Sequence, residues 1–270
     1  MVPVPRVSTA ESRFKYLAAL APRLYTETYC SRYSLSKGRP MEYTYEFLFE
    51  NGRKETFVLS LNDETLRLAP LPVDTDEEWM KLTFHQCDVC TLSPDEYTYC
   101  PVAKNLSYLL YRFRDNVSYE TVTARVTAKD RVTEKTGSLE SCVSSVIGLI
   151  MATSGCPVLD ILRPMAYTHQ PFANEDETIF RAVATYLTAQ AIKVSHGRKP
   201  DWEISNVAGI YSGITRLNAD FTERVRGLHG KDANVNAIIS LDLFAQLGTI
   251  TLPNEWLEQV KGFFTSYLEK

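Results

Sequence analysis

The sequence predicts an α+β protein, with N-terminal antiparallel β-hairpins forming a sheet that packs with a mostly helical C-terminal half. Three observations carry this. Tyr43, Tyr45, Phe47 and Phe49 alternate with polar neighbours and run into Asn51-Gly52, a strong hairpin turn. From Ser138 onward the apolar period changes to that of a helix, with Leu139, Cys142, Val143, Val146, Ile147 and Ile150 on one wide face. A composition of 44% hydrophobic and 23% charged residues supplies enough apolar surface for a buried core.

In chain order, residues 1–40 stand apart. They hold seven Lys or Arg against two acidic residues and prolines at 3, 5, 22 and 40, while the other 230 residues hold 22 basic and 31 acidic ones. Such a basic, proline-bearing end reads as a poorly ordered extension, with a short helix over Glu11 to Leu20. An arginine-bearing targeting segment, or sequence upstream of a start at Met41, are the competing readings. A β-rich part then covers 41–137. It contains the hairpin ending in Phe57, Leu59 and Leu61, a third strand at Leu66 and Leu68, an acidic loop of Asp74 to Glu78, a helix over 101–114, and a second hairpin turning at Lys129-Asp130. A helical part covers 138–270 and is expected to share the core. Ser138 caps its first helix and Gly155 ends it, Ile161 to Thr178 reads as loop, and Asn174 with Glu177 three residues on marks another helix start. Further helices are expected over Asn206 to Leu217, Ala233 to Leu247 and Glu255 to Leu268. The polar set Asn218, Arg226, Asp232, Asn234 and Asn236 reads as surface caps rather than a pocket.

The chemistry concentrates in Phe84 to Val102, which gathers three of the six cysteines and one of the four histidines. Cys87 and Cys90 form a CxxC knuckle, whose two intervening residues let both sulfurs face one point about 2.3 Å from each. Ser93-Pro94-Asp95 is a turn signal that can bring Cys100 back to that point. The fourth ligand has to be inferred, because no second CxxC or HxxxH follows. Cys100 and Cys156 each precede a proline at the head of an apolar helical segment, a place where free N–H groups and the helix dipole favour thiolate. The expected ligands are therefore Cys87, Cys90, Cys100 and Cys156, with His169 as the alternative fourth ligand and His85 a further donor. Cys30 and Cys142 read as packing residues.

The run of CxxC, CPVAKNL, SGCP and RPMAYTHQPF resembles an uncharacterised bacterial family, a domain of unknown function, from about Met41 to the C-terminus. The resemblance implies bacterial origin and a family that begins near Met41, and it carries no catalytic residues.

The function class that follows is a cytoplasmic metal-binding protein with zinc in a structural role. An iron-sulfur cluster or a dithiol redox pair is the alternative. A second alternative is a zinc enzyme with an open coordination position and His169 or Glu177 as base, so whether the chain is an enzyme stays undecided. Partners are unknown. The net acidic body argues against nucleic acid, and no apolar run approaches the roughly 18 residues of a membrane span. The absence of an evident secretion signal argues against a disulfide framework.

Overall fold

A computed structural model describes residues 40–73, 76–226 and 254–269. The expectations for the basic extension, its short helix, Cys30, the helix over 233–247 and the residues Asp232, Asn234 and Asn236 lie outside the described residues.

Four strands form one antiparallel sheet in the order β2-β1-β3-β4, with β1 at Met41–Phe49, β2 at Lys54–Leu61, β3 at Thr121–Ala128 and β4 at Arg131–Ser138. The period-two pattern explains its sidedness. Tyr43, Tyr45, Phe47 and Phe49 of β1 are buried, and their register partners Phe57, Leu59, Val122, Ala124 and Val126 are buried with them. The opposite face is polar, with pairs such as Glu46 beside Arg125 and Arg125 beside Glu134. A one-residue slip would turn the aromatic row to solvent, so the register is strongly specified. Gly52, at φ +83°, supplies the left-handed turn between β1 and β2.

Two helices cover the apolar face. Helix α1 (Pro101–Phe113) has Pro101 at its first position and buries Val102, Leu106, Leu109, Leu110 and Phe113. Helix α2 (Leu139–Thr153) starts at Ser138, whose hydroxyl accepts the Ser141 N–H, and is buried on nearly every side. Phe113 packs edge-on against Phe47 at 5.2 Å. Further helical elements among the described residues are a 3-10 segment at Leu159–Thr168, α3 at Glu175–Ser195, α4 at Val207–Arg226 and α5 at Asn254–Val260. One apolar cluster runs from Tyr43 through α1 and α2 to Ile214, Leu217, Phe221 and Val225 of α4, so sheet and helices share it.

Two local expectations are corrected. Leu66 and Leu68 form no strand. The Asn62 side chain accepts the backbone N–H groups of Glu64 and Thr65, curling the chain into a turn with Leu66 at φ +57°, and only the single bridge Leu61–Leu68 remains. The stretch after Ile161 is also more regular than a loop: the 3-10 segment runs through Pro164, whose missing N–H removes a single backbone donor from it. Among the described residues, no helix is long and apolar enough to cross a membrane.

Candidate metal centre

Between β2 and α1 the described residues have a single 3-10 turn, Glu78–Met80, and otherwise irregular backbone. A stretch this long without regular structure needs other ties. Residues 80–82 and 98–100 provide one, pairing antiparallel through Cys100 N–H to Met80 C=O and Leu82 N–H to Thr98 C=O, both at 2.9 Å, with a bridge between Lys81 and Tyr99. The expected turn at Ser93 is present, since the Ser93 carbonyl accepts the N–H groups of Glu96 and Tyr97. This closure returns Cys100 beside the start of the knuckle. The knuckle itself is closed by Cys90 N–H donating to Cys87 C=O at 2.9 Å, and Gln86 donates across it to the Leu92 carbonyl.

Cys100 is the N-cap of α1, with Val102 and Ala103 supplying N–H groups that lower its pKa, although the sulfur forms no full capping bond. At Cys156 the Leu159 and Val158 N–H groups act in the same way, although the N-cap of the following 3-10 segment is Val158. Gly155, at φ +94°, turns the chain out of α2 so that Cys156 and Pro157 can open the next segment. That turn is anchored by Leu68 N–H to Thr153 C=O at 3.0 Å and by the Arg67–Asp160 ion pair at 3.4 Å.

The strongest tie is Arg224. Its side chain is fully buried on α4, and the guanidinium donates to the carbonyls of Trp79 (2.7 Å), Lys81 (2.8 Å), His85 (3.0 Å) and, more weakly, Leu82 (3.4 Å). One turn earlier, Asp220 accepts the N–H of Asp88, inside the knuckle, at 3.0 Å. A single helix therefore holds the cysteine loop by its backbone. Neither residue was foreseen from the sequence. The available signal was Arg224 falling on the buried stripe of Leu217, Phe221 and Val225, where an arginine has to find partners.

Cys87, Cys100 and Cys156 are buried in the main core, and Cys90 is half-buried against it. All four are free thiols and close enough to sense one another's charge. Burial first, then Cys100, pushes the Cys87 thiol up to about 12, with Cys156 adding and Arg224 opposing. Burial pushes Cys156 up to about 11, with Cys100 and Cys90 adding to the shift. Burial raises Cys100, against the pull of the Ala103 N–H and Arg224. Burial thus outweighs the helix ends, and it favours the thiol over the thiolate at Cys87, Cys100 and Cys156. Among the described residues, no three His, Cys, Asp or Glu side chains are grouped so that they could hold a metal ion.

The other expected donors lie elsewhere. His85 is exposed, its ring edge-on to Phe84 at 4.7 Å, and contributes its carbonyl to Arg224. The His169 ring packs edge-on to Tyr43 at 5.2 Å with Nε2 bonded to the Tyr45 hydroxyl at 2.5 Å, and the charges that shift it are those of Arg181 and Arg131. Glu177 forms the capping box of α3 with Asn174. Cys142 is wholly buried in α2. Arg226 pairs with Glu223 on the surface, whereas Asn218, expected as a surface cap, is buried on α4.

Comparison with curated proteins and with solved structures gives no match. A family model does match, over residues 43–265, which takes in the sheet, the cysteine loop and the helices that hold it. The chain belongs to the family DUF6901, a domain of unknown function.

Proposed function

We propose that the protein binds one zinc ion through Cys87, Cys90, Cys100 and Cys156, and that the ion has a structural role, tying the irregular loop before α1 to the turn after α2. The observation that carries this is the gathering of four free, electrostatically coupled cysteines from three separate chain segments into one partly buried region. The supporting logic is chemical. Zinc takes thiolates in closed tetrahedral sets, and its binding energy adds to folding because the ligands are far apart in the chain. Binding displaces the thiol protons, so zinc affinity rises with pH. Cys156 is favoured over His169 as fourth ligand because its charge couples to Cys100 and Cys90. The free thiols suit a reducing compartment, and we place the protein in the cytoplasm on that ground.

Dithiol cycling is the weaker reading: a reactive CxxC needs a depressed thiol pKa, and burial moves Cys87 the other way. The test is cobalt substitution of the full chain. Binding in a four-sulfur site gives intense tetrahedral d–d bands with thiolate charge transfer, and Cys156→Ser weakens that transition. Weak octahedral bands, or a spectrum unchanged by Cys156→Ser, would overturn the assignment.

A further inference from the structure

We infer that the open cavity lined by α2, the 3-10 segment, α3, α4 and Lys135 of β4 is a binding site for a small organic carboxylate with an apolar body, its head held by Arg181. The cavity measures about 280 Å³, near the lower end of small-ligand pockets. Its wall is mostly apolar, with Leu149, Leu159, Leu162, Met165, Phe172 and Ile214 among the residues that form it. Among the described residues, two cations, Arg181 and Lys135, line it, and no Asp or Glu does.

Arg181 is the informative group. One Nη donates to the Met165 carbonyl at 2.9 Å, but its Nε is buried without a partner, and among the described residues Arg181 forms no ion pair. Glu177, one turn earlier on α3, uses its carboxylate on the Asn174 N–H at 2.8 Å. A half-buried arginine whose buried Nε is an idle donor beside an apolar cavity matches a carboxylate, which accepts two parallel N–H bonds from the guanidinium fork.

Glu177 acts on the guanidinium through space without forming an ion pair with it, and among the described residues the polar groups that line the cavity bring no negative charge. His169 is bonded through Nε2 to Tyr45, and burial together with Arg181 and Arg131 lowers it to about 3, so it is neutral at ordinary pH. Tyr211 is kept neutral by burial, which raises it to about 12. The Ser145 hydroxyl joins Tyr45 at 3.3 Å and accepts the N–H of Phe172, a lining residue held at φ +61°. Strained backbone of this kind collects at ligand sites. The apolar wall suits a hydrocarbon or aromatic body better than a second charged group.

The test is calorimetry on the full chain with hexanoate, its neutral isostere hexanamide, and inorganic phosphate. Hexanoate is expected to bind about tenfold tighter than hexanamide, because only the charged head forms charge-assisted bonds to the guanidinium. Arg181→Gln is expected to remove that preference with the far-ultraviolet circular dichroism unchanged, and Arg181→Lys to restore part of it. Equal binding of hexanoate and hexanamide, or binding of neither, overturns the proposal, as does phosphate binding as tightly as hexanoate. If Arg181→Gln does not fold, the comparison of the two isosteres on the unaltered protein decides.

Discussion

Replacing Arg224 with Met removes the clamp on the cysteine loop while filling much of the same volume. Three carbonyls, those of Trp79, Lys81 and His85, lose a donor at 2.7–3.0 Å, and the Leu82 contact at 3.4 Å adds little. At about 1.5–3 kcal/mol for each strong bond to a charged donor, the expected loss is about 4–9 kcal/mol. Against a typical domain stability of about 5–15 kcal/mol that is a large fraction. Urea unfolding followed by circular dichroism reads the stability, and the rate at which a thiol reagent reaches Cys87 under native conditions reads the loop. Arg224→Met is expected to move both together, whereas Asp220→Ala, which removes only the bond to the Asp88 N–H, is expected to cost about 0.5–1.5 kcal/mol. An Arg224→Met protein within about 1 kcal/mol of the parent, with Cys87 equally protected, would refute the clamp.

Three further outcomes are expected. Cys87→Ser lowers metal content and thermal midpoint together, while Cys142→Ser, which places a hydroxyl in the core, lowers the midpoint alone; elemental analysis beside a melt separates them. His169 titrates near 3 when folded and near 6.5 when unfolded, so between those values the unfolded chain binds the extra proton and stability falls as pH falls. From pH 7 to pH 5 this amounts to about 1–2 kcal/mol, and urea midpoints of His169→Phe should show a shallower slope than the parent over that interval. Gly155→Ala forces a Cβ into a left-handed backbone at φ +94° and is expected to cost about 1–2 kcal/mol in urea unfolding.

The local parts of the fold were legible because their causes are local. Alternation of Tyr43 to Phe49, the Asn51-Gly52 turn, Pro101 at the head of α1, Ser138 at the head of α2 and the Asn174–Glu177 box each act within a few residues, and each is found where the sequence places it. The third strand failed because Asn62 competes for the backbone through its side chain, a contact that apolar alternation does not register. The cysteine spacing pointed to one region, and the pairing of residues 80–82 with 98–100 shows how Cys100 returns to it. The hold of α4 on that loop was not legible, because Arg224 and the carbonyls of Trp79 to His85 are far apart in the chain and backbone acceptors leave no side-chain signature. Arg181 was equally silent: its significance lies in an idle buried donor, which only the packing of α3 reveals.

The central claim, that four cysteines hold a structural ion, is tested most directly by elemental analysis with a visible spectrum on protein purified anaerobically without a metal-affinity tag. The account predicts one zinc per chain, no colour, and loss of the zinc in Cys87→Ser. Iron with sulfide and a brown colour, or no metal with Cys87, Cys90, Cys100 and Cys156 all titrating as free thiols in a protein of unchanged stability, would contradict it.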